Sequence, residues 1–233
     1  MAKGSPSDSW AAVAAALPQE ARAEREQPFW QALARSFGWR RVVDAGCGAG
    51  FHLRLLRAAG VDSFGFDAEF GALAGPVGAP VVGGDLLHPP LVDGTFDAAL
   101  CLGNTFSLLP SRTLQREGLA ALAHLVRPGG IVLLQGEDAG AVARKTRVLR
   151  TRRLDNGAVH VRVFERVGRR VRMLAGVARD GVDAPLAATW LLPTSGRVVT
   201  QMARSLGLAP VALPAPPPAS GTAWWTAFSA PSP

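Results

Sequence analysis

Three glycines in five residues, Gly46-Cys47-Gly48-Ala49-Gly50, follow the apolar run Arg41 to Ala45. Three acids stand in order around them: Asp44 just before, then Asp67 and Asp85. A glycine run at the turn from a strand into a helix lets backbone approach a ligand closely, and the helix start offers free N–H donors. Asp67 lies 17 residues beyond Gly50, where an open α/β sheet sets an acid to accept both hydroxyls of a ribose. Asp85 follows the next short strand and could accept from the exocyclic amine of an adenine. Three successive strand tips thus converge on one crevice with groups suited to an adenosine. A dinucleotide fingerprint would need a third small residue where Phe51 stands, and no Gly-Lys-Ser/Thr follows for a phosphate loop. Taken alone, the glycines would equally make a tight turn with no ligand.

The elements that must position these residues are legible from apolar spacing. Helices are expected over Asp8 to Leu17 and Pro28 to Phe37, the second with Pro at an early position and a stop near Gly38. Strands follow at Arg41 to Ala45, Asp62 to Phe66, Pro80 to Gly83, Phe96 to Leu102 and Ile131 to Gln135. Helices at Phe51 to Ala59 and Leu114 to Leu125 separate some of them, and residues 71–80 are too rich in Gly and Pro for a helix. Strand after strand in this arrangement argues for a parallel sheet covered on both faces. Beyond Gly136, Val159 to Glu165 and Arg170 to Ala178 alternate at period two as a hairpin, and Ala187 to Leu192 suits a third strand. A helix over 194–207 and a strand over Thr222 to Ala230 close the chain.

At this point four motifs in order resemble those of class I S-adenosylmethionine-dependent methyltransferases. They are Val42 to Gly50, Phe64-Gly65-Phe66-Asp67, Gly84-Asp85-Leu86 and Phe96-Asp97-Ala98-Ala99-Leu100, with Leu125 to Gly130 similar to the turn before the family's fifth strand. The resemblance implies a doubly wound, mostly parallel, seven-stranded Rossmann-like α/β sheet with an antiparallel strand unit inserted after strand five. The corresponding units are an N-terminal helical lid (1–38), a cofactor-binding core (39–140), a basic helix with the antiparallel insertion (141–192), and the core's final helix and strand (193–233). It implies S-adenosylmethionine as cofactor and no metal. Asp44 would orient the loop near the methionine amino group, the backbone of Gly46, Gly48 and Gly50 would face the amino acid part and ribose, Asp67 would hold the ribose hydroxyls, and Asp85 with Leu86 would read adenine. Leu102, at the end of strand four, belongs to the same set. The stretch between Asp67 and Asp85 is short and poor in helix formers, which leaves an adenine wall from Glu69 to Leu73 open.

A narrower resemblance lies at Cys101 to Pro110, which is similar to the stretch that glycine and sarcosine N-methyltransferases carry after strand four, where the Asn faces the acceptor. That Asn would be Asn104. Where that group places an Arg after strand five for the substrate carboxylate, this chain reads Gln135-Gly136-Glu137-Asp138. Glu137 is therefore expected to repel a carboxylate and attract a cation, which makes glycine a poor acceptor; the alternative is that Glu137 and Asp138 cap a helix over Ala139 to Leu149. In-line displacement from a sulfonium asks mainly for alignment in a dry pocket. Asn104 would orient the acceptor, and Glu137, His52 or His88 would take the proton. Trp10, Phe29 and Trp30 would form either a lid over the sulfonium or ordinary core. Cys101 reads as a small core residue rather than a nucleophile.

Composition bounds the rest. The chain has 233 residues, 48% of them apolar, which suits one globular domain and excludes a disordered chain. Two cysteines are too few for a disulfide framework or a Cys-built zinc site, so a reducing, cytoplasmic setting is expected. Residues 205–233 carry no charge but hold seven prolines, which argues against a membrane segment. The net charge of +7 is local: residues 144–172 hold eleven basic side chains against Asp155 and Glu165. That window would serve an anionic small molecule, an acidic partner, or RNA, and it makes an RNA methyltransferase the first alternative to a small-molecule enzyme. A non-catalytic cofactor-binding relative is the second. Oligomeric state has no signal.

Overall fold

The computed structural model describes residues 10, 13, 16–69, 78–144, 147–179, 186–218 and 222–232. In chain order its elements are α1 (Glu20–Phe37), β1 (Arg41–Ala45), α2 (Phe51–Ala58), β2 (Asp62–Asp67), β3 (Val81–Gly83), β4 (Phe96–Cys101), α3 (Thr105–Leu108), α4 (Arg112–Leu125), β5 (Val126–Glu137) and α5 (Ala139–Val142). Then come β6 (Arg147–Arg153), β7 (Val159–Val167), β8 (Arg170–Ala178), β9 (Ala187–Leu191), α6 (Gly196–Ser205), β10 (Ala209–Val211) and β11 (Ala223–Ser229).

The main sheet has seven strands in the order β10-β11-β5-β4-β1-β2-β3. β3, β2, β1, β4 and β5 run parallel, while β11 is antiparallel to β5 and β10 to β11. Its strands are apolar on both sides because helices cover both faces. Val42, Leu100 and Leu133 pack with Trp30, Leu33 and Leu56 of α1 and α2. Val43, Ala99 and Val132 pack with Leu119 and Leu122 of α4 and Val199 of α6 on the other side. The second sheet, β6-β7-β8-β9, is wholly antiparallel. Phe164, Val171, Met173 and Leu191 close it over α5.

Several expectations need correction. The first described helix begins at Glu20, eight residues ahead of Pro28, which sits inside it; the missing hydrogen bond is offset by burial of the adjoining Phe29 and Trp30. Those two rings are core rather than lid, with Phe29 packed edge-on to Trp30 and Trp225 at 5.4 and 5.2 Å. Trp10 reaches the inserted sheet, its indole N–H donating to the Ala188 carbonyl at 3.4 Å. The helix expected over Ala139 to Leu149 is four residues long, capped by Asp138, and the basic segment Arg147–Arg153 is the strand β6, so among the described residues the 141–192 unit holds no basic helix. Runs of arginine conceal the period-two pattern that Val148 alone does not reveal. β10 went unread because Pro210 stands in it; as an edge strand it needs no N–H there. Most of the Asp8 to Leu17 helix and residues 70–77 lie outside the described residues, although Trp10, Val13 and Ala16 are helical.

Candidate active site

β1 delivers the glycine turn. Gly46, Gly48 and Gly50 all have positive φ, and the N–H groups of Gly46 and Cys47 both donate to the Phe66 carbonyl of β2. A Cβ on Gly46 would run into the Thr105 side chain at the start of α3, so glycine is required there by conformation and by space. Asp67 closes the loop from the other side: its Oδ2 accepts from the Gly48 N–H at 2.8 Å and its Oδ1 from the Glu69 N–H at 2.9 Å. Each of these oxygens keeps a lone pair for a further donor. The Gly84 N–H bonds the Asp67 carbonyl, which sets Asp85 beside Asp67, and Asp85 Oδ1 accepts from the Leu87 N–H. Leu86 and Leu102 are buried. The structure therefore brings Gly46, Gly48, Asp67 and Asp85 to one edge of the sheet.

Asp44 is the anomaly. It is 1% exposed, and neither carboxylate oxygen has a hydrogen-bond partner. Buried carboxylates without donors are costly. Burial pushes its pKa up, opposed by His52 and reinforced by Asp67. The ring of His52 stands beside it, with Nδ1 3.7 Å from Asp44 Oδ2. On its other side, His52 Nε2 stands 3.3 Å from Arg22 Nη2 and 4.0 Å from Glu26 Oε2. An orphaned carboxylate beside a glycine turn is what a ligand ammonium would complete.

His52 also lines a cavity of about 910 Å³ at the C-terminal ends of the parallel strands. Gln135 of β5 and Trp225 of β11 form its floor, Arg22, Arg25 and Glu26 of α1 one wall, and β6 with β7 the other. Asn104 lies outside this lining. It is the one non-glycine residue with positive φ among the described residues, and its Oδ1 accepts from the Glu137 N–H at 2.6 Å. Gln135 Oε1 accepts from the Gly103 N–H at 2.8 Å, so Asn104 and Gln135 together lock the tip of β4 to the tip of β5. His88 sits next to Asp85 through a single β-bridge, away from the cavity.

Glu137 is placed differently from the expectation of a free carboxylate facing the acceptor. It is 5% exposed and bonds Arg150 of β6 through Oε1 and Arg162 of β7 through Oε2, the latter at 2.8 Å, while the Thr222 hydroxyl donates to Oε1. With two guanidiniums on it, Glu137 has no negative field left to repel a carboxylate. Sequence alone could not show this, because the partners are 13 and 25 residues away on strands whose register was unread. Both thiols are pushed up by burial, Cys47 also by Asp44 and Asp67 and Cys101 also by Asp44, so neither is a nucleophile at neutral pH. No cluster able to hold a metal occurs among the described residues.

Residues 42–130 match a family model described as a methyltransferase domain. This stretch, which holds the glycine turn, Asp67 and Asp85, is therefore similar to a methyltransferase domain. The chain is also 31% identical over 124 residues to a glycine/sarcosine N-methyltransferase of Halorhodospira halochloris, covering 49% of this chain and 46% of that protein. The chain thus spans about half the length of the curated relatives it matches. Two solved structures share the fold over nearly the whole chain. The CcbJ methyltransferase from Streptomyces caelestis aligns with a TM-score of 0.72 at 21% identity, covering 94% of this chain and 92% of that one. The sugar N-methyltransferase KedS8 from Streptoalloteichus sp ATCC 53650 aligns with a TM-score of 0.65 at 20% identity, covering 90% and 88%. The cofactor of this family, S-adenosylmethionine, has an ammonium that suits the orphaned Asp44 and a ribose that suits the remaining lone pairs of Asp67.

The residues that sequence reasoning missed are Gln135 as a cavity wall, Trp225, and the α1 group Arg22, Arg25 and Glu26. A signal existed for the last: charged residues at i, i+3 and i+4 on a helix whose other face is aromatic. Among the described residues no helix is long and apolar enough to cross a membrane.

Proposed function

We propose that this protein transfers a methyl group from S-adenosylmethionine to a nitrogen of a small molecule held in the cavity. The observation that carries the reading is the shared wall: His52 touches the orphaned Asp44 carboxylate on one side and lines the cavity on the other. A cofactor whose ammonium sits on Asp44 is thereby next to the acceptor space. When bound, the cofactor supplies an electrophilic methyl group on a positively charged sulfur. Asp44 holds the ammonium, the Gly46 to Gly50 backbone admits the amino acid part, Asp67 takes the ribose hydroxyls, and Asp85 and Leu86 border the adenine.

On the acceptor side, Gln135 orients the substrate through its amide N–H groups, its oxygen being committed to Gly103. Asn104 acts as a positioning residue that fixes β4 against β5. With Glu137 neutralised by two arginines, His52 takes the proton released as nitrogen gains the methyl, its Nε2 exchanging the Arg22 contact at 3.3 Å for that proton. Support for nitrogen comes from the relatives, described as a glycine/sarcosine N-methyltransferase and a sugar N-methyltransferase. A small acceptor is favoured over RNA because the basic window does not share one face. Arg150, Arg152 and Arg162 face the cavity, Arg166 bonds the carbonyls of Ala143 and Gly140, and Arg147 and Arg172 pair with Glu165.

The test is transfer of labelled methyl from S-adenosylmethionine to a panel of small amines, amino sugars and amino acids, beside calorimetry with the cofactor. Labelled product supports the reading. Micromolar cofactor binding with no product anywhere in the panel overturns catalysis in favour of a binding protein; absence of cofactor binding overturns both.

A further inference from the structure

The cavity is more cationic than an amine alone would need. Five of its lining side chains are arginines, Glu26 is the one acid, and Glu26 is already bonded to Arg22 at 2.7 Å. The inserted sheet sets two basic cross-strand pairs side by side: Arg150 faces Arg162, both charged, and Arg152 faces His160, whose pKa of about 4 leaves it neutral near pH 7. Like charges directly opposite are destabilising. Glu137 from β5 relieves the first pair, and the ring of Phe164 lies 5.8 and 5.7 Å from the two guanidinium carbons. Among the described residues the exposed side chains of Arg152 and Arg25, which both line the cavity, meet neither a hydrogen-bond acceptor nor a carboxylate.

The geometry points to a phosphate-binding subsite formed by Arg152 and His160 on the inserted sheet with Arg25 of α1 in the same lining, so that the methyl acceptor is a phosphorylated small molecule. This rests on the small-molecule reading above and names its substrate class. Guanidiniums present planar, multidentate donors that match a phosphoryl group's several oxygens better than a single carboxylate needs. A volume of about 910 Å³ lies near the upper end of about 300–1,000 Å³ for small-molecule pockets, larger than an amino acid calls for. The Glu137 clamp then has a reason: it holds Arg150 and Arg162 in fixed rotamers beside the subsite, so less side-chain entropy is lost on binding.

His160 is the built-in reporter. Burial, then Arg162, then Arg152 push its pKa down to about 4, and the other charged groups in the lining it shares, Arg150 from β6 and Arg22, Arg25 and Glu26 from α1, sum to a positive surrounding. A bound dianion reverses that field and should raise the His160 pKa by about one unit or more. The experiment is NMR titration of the His160 ring in the full chain, with inorganic phosphate, pyrophosphate, or chloride at matched ionic strength. An upward shift with phosphate or pyrophosphate only, lost in Arg152→Gln, supports the subsite. No shift, or an equal shift in wild type and Arg152→Gln, overturns it. Arg152 is exposed, so the variant should fold; a shift with acetate as large as with phosphate would assign a carboxylate and overturn the phosphoryl class. Failure of methyl transfer with the phosphate shift intact would sink the proposed function and leave the subsite standing.

Discussion

Replacing Asp44 with Asn should move stability and cofactor affinity in opposite directions. The carboxylate is buried, unbonded at both oxygens, and its pKa is raised because burial outweighs the attraction of His52 at 3.7 Å. A charge held there without donors costs the fold about 1–3 kcal/mol, so Asp44→Asn should unfold at higher denaturant with an unchanged slope. Linkage gives the sign with pH. A folded-state pKa above the ordinary 3.8 means the native state binds the proton more tightly. Its contribution to stability is complete below the unfolded value and is lost as pH rises through the folded one. The gap between variant and wild type should therefore be small in acid and widen with pH. For the cofactor, losing a charge-assisted bond to the ammonium of about 1.5–3 kcal/mol weakens binding about 10- to 150-fold. Calorimetry with S-adenosylhomocysteine measures it, and wild-type affinity should rise with pH over the range in which Asp44 ionises. If Asp44→Asn were less stable than wild type at neutral pH and bound the cofactor equally well, the carboxylate would be a structural group and the reasoning would fail.

Other substitutions separate structural from chemical roles. Glu137→Gln leaves Arg150 facing Arg162 with their shared counter-charge gone, and partial exposure of both arginines limits the loss to about 2–3 kcal/mol; chemical denaturation reads it. Asn104→Gly exchanges a hydrogen bond of about 1 kcal/mol for relief of left-handed strain of similar size, so the melting temperature should stay within a few degrees. The turnover number for whichever amine the panel returns should fall at least tenfold if locking β4 to β5 matters. Asp97 behaves oppositely to Asp44. Burial raises its pKa, but bonds from Arg127 and from the N–H groups of Arg40 and Arg41 outweigh that and hold it low. Its stabilisation is present above the ordinary value and is lost as pH falls through the depressed one, so Asp97→Asn should cost stability at neutral pH and less in acid.

The cofactor half of the molecule was legible because its signals are local. Gly46 to Gly50 must turn sharply, Asp67 must end a strand, and the alternation of apolar strands and helices leaves few ways to stack them. The acceptor half was not, because its meaning lies in pairings between distant strands. Glu137 illustrates the difference. Read beside Asp138 it is either a helix cap or a free anion, and Asp138 alone does the capping. Only the register of β6 against β7 shows that Arg150 and Arg162 arrive together over Glu137. Pro28 and Pro210 misled for a related reason: each was read by its local preference, while burial of Phe29 and Trp30 and an edge position decided what the backbone could bear.

The basic window gains a specific meaning from that register. Period-two alternation on β6 sends Arg147 and Arg153 to one side and Arg150 and Arg152 to the other. The first side meets Glu165 and solvent, and only the second meets the cavity. A surface meant for a polyanion would gain from every arginine on one continuous face. A pocket meant for one anionic group gains from a few, held still, with their mutual repulsion cancelled where it is not wanted and left uncancelled where the ligand must sit. Glu137 cancels it at Arg150 and Arg162, and among the described residues no carboxylate meets the Arg152 charge beside the neutral His160. An acid introduced on the cavity face in place of Arg152 should therefore imitate the ligand: Arg152→Glu is expected to raise the His160 pKa and to reduce the phosphate-induced shift. A variant with wild-type phosphate response would show that Arg152 and His160 are a solvated pair and no more.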